Sequence, residues 1–345
     1  MKTTNRFRIA LAVFWLVSLA AIAVGLGWLW FRLEAYENAT PEAAVRQYLS
    51  DLRQGRWEQL AAGSDFTPTE LVTEQDYIAF LQQTYKELPE DTALVRTGEE
   101  GGSIYQLQDK AGNKIAALKL TAAPAGEKYA YRVQTRTTTL DPVEVEAPAG
   151  VQVLLGGRPL PEAAVRETVT APGYEQLPDG IAAPQLVRYE LEGLLQQPQL
   201  TAQDGYQVST VKKGKQTIYE VTGVPSAAQQ QEYRALAEKA AKTYAAFVTQ
   251  DAGRGELNAL LLPGTSFYKA IQQFYNGWYV EHTGHEYRNL DCSELELVSD
   301  DAFSAKISFD YVILRGSREY LYPSSYRLFF LNAGGGWKLA RLDTL

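Results

Sequence analysis

Residues 327–342 read RLFFLNAGGGWKLARL, and this stretch decides the fold of the part of the chain around it. Leu328, Phe329, Phe330 and Leu331 make an apolar run, Gly334, Gly335 and Gly336 interrupt it, and Trp337, Leu339 and Leu342 resume it. Two strand-like runs around a glycine cluster predict an antiparallel hairpin, because glycine enters the positive-φ conformations of tight turns without a steric penalty. Upstream, residues 303–314 and 287–297 read as two further strands, so the hairpin closes a meander. Before the meander the period changes to that of helices. Tyr233, Leu236, Ala240, Tyr244, Phe247 and Val248 share one helical face over residues 226–250, and Gly253 and Gly255 then break the pattern before Leu257, Leu260 and Leu261. A third helix is predicted to carry Phe267, Tyr268, Ile271, Phe274, Tyr275 and Trp278.

The same order occurs earlier in the chain. Thr40, Pro41 and Glu42 supply an N-cap, a proline at the first helical position and an acid in the first turn. Val45, Tyr48, Leu49 and Leu52 then recur at helical spacing, Gly55 ends the pattern, and Trp57 and Leu60 begin a short second helix. A third, with Tyr77, Phe80, Leu81 and Tyr85, stops at Leu88 and Pro89. Residues 104–108, 114–121 and 129–137 follow as strands. Helices first and an antiparallel meander second, given twice, predict a duplicated α+β domain.

Between the two lies a segment of short strands punctuated by glycine and proline, from residue 140 to residue 224. Val143, Val145 and Ala147 alternate with Glu144 and Glu146, a second run covers residues 151–155, and Gly156 and Gly157 turn the chain. The segment reads as a small all-β, sandwich-like unit, with residues 194–200 as an edge strand or connection.

Residues 9–31 carry no charge. At ~1.5 Å per helical residue the run covers a hydrocarbon core of ~30 Å. Lys2, Arg6 and Arg8 precede it, whereas Arg32 is soon followed by Glu34 and Glu37, so the positive-inside bias places residues 1–8 in the cytoplasm and everything after Arg32 outside it. Trp28 and Trp30 suit the membrane interface. Ala21-Ile22-Ala23 loosely resembles a signal-peptidase site, but the apolar run continues past it through Trp30, which favours an uncleaved anchor.

A long helix, a short helix, a third helix and a meander ending in a glycine turn followed by Trp337 and Lys338 resemble the nuclear-transport-factor-two-like fold, also described as the SnoaL-like cone. The resemblance implies an α+β chain: a transmembrane helix at 9–31, then two cone-shaped helix-plus-curved-antiparallel-sheet domains at 38–139 and 226–345 flanking a small all-β domain at 140–224. The middle segment, with the anchor, more faintly resembles membrane-anchored bacterial proteins of the teicoplanin-resistance-associated type, although the cytoplasmic zinc ribbon often found there is missing. Proteins with the cone fold include isomerases, dehydratases and non-enzymatic binding modules, so the fold by itself implies no activity.

The chemistry is sparse. Net charge is −8, and the densest basic cluster is Lys212, Lys213 and Lys215, which argues against nucleic acid as a partner. Cys292 is the only cysteine, so no intrachain disulfide forms, and it reads as a small buried hydrophobe. The chain has two histidines, His282 and His285, with Asp291 and Cys292 close behind them. Gly284 between the histidines marks a turn, so the pair reads as loop residues and neither a metal nor another cofactor is expected. The glycine clusters lack the strand-to-helix context of phosphate loops. The aromatic and imidazole residues Tyr268, Tyr275, Trp278, Tyr279, His282 and Tyr287 are the expected partner or ligand surface, because such side chains dominate interface energetics. The expected role is a non-catalytic, membrane-anchored binding, assembly or signalling module of a bacterial envelope. It would meet the bilayer through residues 9–31 and an envelope protein or cell-wall component outside, with self-association left open. The alternative is a small-molecule sensor or enzyme using Tyr275, Tyr279, His282 and Asp310 in the cavity of the last domain.

Overall fold

A helix with no polar face needs an apolar surround, and the N-terminal run forms α1 (Thr3–Asn38), whose described residues from 11 to 37 are all exposed except Ser18. It is long and apolar enough to cross a membrane, a property that signal sequences share. The computed structural model describes residues 3–86, 92–99, 103–124, 126, 128–213, 216–275, 279 and 281–345. Lys2, Leu88, Pro89, Lys215 and Trp278, named above, lie outside the described residues. The chain is α+β and divides into two compact units, Met1–Leu140 and Asp141–Leu345.

In the first unit α1 runs past the apolar stretch, and the Asn38 carbonyl accepts from Ala130 N–H at 3.0 Å. Thr40 then caps α2 (Pro41–Arg53) by accepting from Ala43 N–H. Gly55 takes φ 68°, allowing the chain to turn into α3 (Trp57–Ala62). A Thr73–Asp76 capping box starts α4 (Glu74–Thr84). Four antiparallel strands follow in sequence order: β1 (Ala93–Glu99), β2 (Ser103–Gln108), β3 (Lys114–Ala122) and β4 (Tyr131–Thr135). Of these, β1 is not evident in the sequence, since its residues do not alternate and it pairs along one edge only, with β2. Tyr48, Leu52, Tyr77 and Leu81 from the helices and Leu107, Leu118 and Leu120 from the sheet are all buried. The Tyr48 hydroxyl lies 2.6 Å from Thr135 Oγ1 and 3.4 Å from the Tyr85 hydroxyl, which satisfies polar atoms that burial would otherwise penalise.

The second unit opens with β5 (Val143–Pro148), β6 (Val153–Leu155), β7 (Arg158–Pro159), β8 (Val165–Thr170), β9 (Gln185–Leu191), β10 (Leu200–Ala202), β11 (Tyr206–Lys213) and β12 (Gln216–Gly223). Then come α5 (Ala227–Val248), capped by Ser226 and Gln229, α6 (Arg254–Asn258) and α7 (Ser266–Gln272). The closing meander is β13 (Gly284–Ser299), β14 (Ala302–Arg315), β15 (Arg318–Asn332) and β16 (Trp337–Thr344). Helix, short helix, third helix and four-stranded meander thus recur in both units.

Residues 140–224 and 226–345, separate in the sequence reading, share one nine-stranded sheet ordered β16-β15-β14-β13-β12-β5-β9-β8, with β11 also paired to β12. The junction is Gly223, which pairs with Leu297; a Cβ there would come within 2.8 Å of that leucine's own Cβ. Between β8 and β9, the segment after Ala171 packs on one face of the meander. Ala171 and Tyr174 pack with Leu262, Ala302, Phe329, Leu331 and Ala340, and the Tyr174 hydroxyl lies 2.9 Å from the Phe303 carbonyl and 3.2 Å from that of Phe330. The opposite face packs on α5, where Ala237, Ala240, Ala241 and Ala245 let the helix approach Phe303, Ile307, Leu328, Phe330 and Leu339. Tyr233 stacks on Phe303 with ring centroids 4.1 Å apart, and Trp337 meets the same tyrosine edge-on.

Three register shifts interrupt the β13–β14 ladder, and Asn289 and Glu294 in β13 take positive φ. Bulges of this kind bend a strand and increase its twist. The strands are also longer than their apolar cores suggest. β15 begins at Arg318, ten positions before the apolar run that starts at Leu328, despite Pro323. The β16 ladder begins at Tyr326, and Leu345 N–H reaches the Ser325 carbonyl, so residues 318–324 form an edge where a missing N–H is tolerated.

Candidate functional site

The site is built at the end of α5. Thr249 ends the helix and Gln250 takes φ 64°, a conformation usually left to glycine at this place, while the N–H groups of Asp251 and Ala252 return to the Ala246 carbonyl at 2.8 and 3.1 Å. That turn directs the Asp251 carboxylate at the start of the meander. His282 arrives from the segment before β13 with its side chain 4% exposed, and its Nε2 lies 3.1 Å from Asp251 Oδ1 and 3.0 Å from Oδ2. His285 is the second residue of β13, and its Nδ1 lies 3.3 Å from the same Oδ2. Tyr311 on β14 donates its hydroxyl proton to Oδ2 at 2.9 Å, and Thr249 Oγ1 donates to it at 2.5 Å. The His285 ring stacks on Tyr311 at 5.3 Å, with the Tyr287 ring edge-on at 5.4 Å.

Burial alone pushes the Asp251 carboxyl up, but hydrogen bonds from Thr249, His282 and Tyr311, with the charge of His285, outweigh it and hold the pKa below the ordinary carboxylate value. Burial, and then the Asp251 charge, push Tyr287 up to about 12. Tyr311 is raised too, chiefly by burial. Both phenols therefore remain protonated donors at neutral pH. Tyr287 spends its proton on the Lys242 carbonyl at 2.8 Å.

Cross-strand register extends this surface beyond the residues the sequence singled out. Tyr287, Tyr311 and Tyr322 are paired neighbours on β13, β14 and β15, and His285, Ile313 and Tyr320 form the adjacent row. Directly paired residues share a sheet face, so both rows lie on one side of the meander. Their outer members, Tyr320 and Tyr322, are exposed.

The residues expected from the sequence fare differently. Tyr268 packs against the α5 core, and its N–H donates to Thr265 Oγ1. α7 ends at Gln272, short of the expected Trp278; Phe274 beyond it packs on Phe247 at 5.4 Å, and Tyr275 is 89% exposed. Tyr279 is exposed, its ring 6.0 Å from that of His282. His282 and Asp310 do not meet: His282 meets Asp251, whereas Asp310 accepts from Asn289 Nδ2 at 2.7 Å and, next to Tyr311 in the strand, projects from the other face. Cys292 is buried in the α5 core, and burial pushes its thiol up. Asp291 and Cys292 are not the third partner of the histidines. Asp251 is, and it lies 31 positions from His282, beyond the reach of any local spacing argument.

The first unit holds a cleft of about 430 Å³ lined by Gln47, Tyr48, Asp51, Leu60 and Tyr129. Its carboxylate is already engaged: Asp51 accepts from Arg56 at 2.9 Å and Gln47 at 2.8 Å.

No family model matches this chain, and no curated protein does. Among solved structures, one titled "Ntf2 like protein involved in plasmid conjugation" aligns with 84% of this chain and 94% of its own length, at 10% identity and a TM-score of 0.23. A superposition that loose carries no argument about this chain.

Proposed function

We propose that this chain is a single-pass membrane-anchored module with a cytoplasmic N-terminus, and that its exported part, in which the helices-then-meander order occurs twice, binds an envelope protein or cell-wall component without performing chemistry. The observation that carries this reading is a pairing of exposures: α1 leaves its apolar surface uncovered, and unit two leaves Tyr275, Tyr279, Tyr320 and Tyr322 exposed, the last two ending the aromatic rows. Aromatic side chains left in water are what interfaces use as anchors. The acid–base reading loses its expected pair, since His282 meets Asp251 while Asp310 accepts from Asn289 on the other face of the sheet.

Two measurements test the proposal. Protease added to intact spheroplasts should remove everything after about residue 34, leaving a membrane-embedded stub; a protected C-terminal portion, or a soluble mature chain beginning near Val24, would refute the anchor. For the surface, a photo-crosslinking residue at Tyr322 should capture a specific envelope component in living cells, whereas one at the exposed Val165 should not. Tyr322→Ala is expected to change stability by less than about 0.5 kcal/mol, yet weaken capture by more than about 1 kcal/mol. Equal capture at both positions would place the recognition surface elsewhere.

A further inference from the structure

Both histidines of the 345-residue chain converge on one carboxylate oxygen, and that oxygen has too many partners. Within 3.3 Å of Asp251 Oδ2 lie Thr249 Oγ1, Tyr311 Oη, His282 Nε2 and His285 Nδ1. A carboxylate oxygen offers about two lone-pair directions, whereas Thr249, Tyr311 and His282 already stand at hydrogen-bonding distance and His285 adds an ion-pair contact. Donor atoms ~2.0–2.2 Å from a tetrahedral zinc ion stand ~3.3–3.6 Å apart, and the ligand atoms of Asp251, His282 and His285 all lie within 4.8 Å of one another. Small adjustments of two side chains would therefore place a cation between them. The two hydroxyls on Oδ2 would then act as outer-shell groups that orient the carboxylate.

We propose that Asp251, His282 and His285 form a three-ligand site for a divalent transition cation of the zinc class. Two imidazole nitrogens and one carboxylate oxygen suit zinc and its first-row neighbours better than calcium or magnesium, which favour all-oxygen shells. With three protein ligands, one coordination position stays open to water or to a donor from another molecule. The inference stands independently of the proposed partner surface, since it rests on ligand geometry alone.

The test uses the full chain in detergent micelles, carrying an affinity tag without histidines, stripped of metal and titrated with zinc chloride by calorimetry. Elemental analysis after dialysis gives the stoichiometry, and cobalt(II) substitution reports the coordination geometry through its visible absorption. The expected result is one equivalent of zinc per chain, bound at least tenfold more weakly by His285→Gln and by Asp251→Asn. His285 is part-exposed and Asp251→Asn keeps the shape of the side chain, so both variants should remain folded by circular dichroism. Two outcomes would overturn the proposal: a wild-type chain that takes up no stoichiometric zinc, or folded variants that bind it as tightly as the wild type.

Discussion

Replacing Gly173 with alanine should lower the stability of the Asp141–Leu345 unit by about 2–5 kcal/mol, combining ~1–2 kcal/mol of backbone strain with ~1–3 kcal/mol of overpacking. Gly173 has φ 92° and sits third in the turn from Ala171 to Tyr174, closed by Tyr174 N–H to the Ala171 carbonyl at 3.1 Å. Pro172 before it presets the turn, and a positive φ at this third position favours glycine. An alanine Cβ would also lie 2.2, 2.3 and 2.7 Å from Cε1, Cδ1 and Cζ of the buried Phe329. A ring carbon cannot yield that far without moving β15. Gly180 is a matched control: it has φ 86° in a similar turn, closed by Ile181 N–H to the Pro178 carbonyl, and a Cβ there meets nothing within 4 Å. Gly180→Ala should therefore cost only the strain, about 1 kcal/mol. Chemical denaturation of the two variants, followed by tryptophan fluorescence, separates the contributions. In a Phe329→Leu background the extra cost of Gly173→Ala should fall toward that of Gly180→Ala. Equal costs in the wild-type background would mean that the approach to Phe329 is relaxed in solution.

What the sequence revealed was local. Thr40 with Pro41, and Ser226 with Gln229, mark helix starts because a cap needs only residues within one turn. The final hairpin was legible for the same reason. β1 was missed because Ala93–Glu99 shows no alternation, and the first half of β15 because Pro323 reads as a break when the edge it tolerates is invisible. Around Asp251, His282 and Tyr287 are residues that the sequence reading had singled out by type. Asp251 was not, because Gln250 in a left-handed conformation is what aims it, and glutamine gives no warning of that. Tyr320 and Tyr322 join the surface only through strand register, a property of the pairing rather than of either strand alone.

A chain beginning at Ser226 is expected not to fold cooperatively, whereas one beginning at Asp141 should. The stretch RLFFL points to this, since an unalternating apolar run has both faces of its strand buried. In the structure Leu328 and Phe330 face α5, while Phe329 and Leu331 face Ala171 and Tyr174. Cutting at Ser226 leaves the α5 side intact and uncovers Phe329, Leu331 and Leu262, together with Ala302 and Ala340. Burial of each large side chain contributes ~1.5–3 kcal/mol, so losing three removes an amount comparable with the ~5–15 kcal/mol that holds an ordinary domain together. The cut also removes β12, whose Gly223 pairs with Leu297. The shorter fragment should bind a hydrophobic dye and show no sharp thermal transition, while the longer one melts in a single step. Phe329→Ser with Leu331→Lys separates loss of cover from loss of chain: it should improve the solubility of the short fragment while destabilising the long one, because the same face is exposed in the first and buried in the second. A short fragment that melts as sharply as the long one would show that residues 226–345 fold as a domain of their own and that the segment carrying Tyr174 merely rests on it.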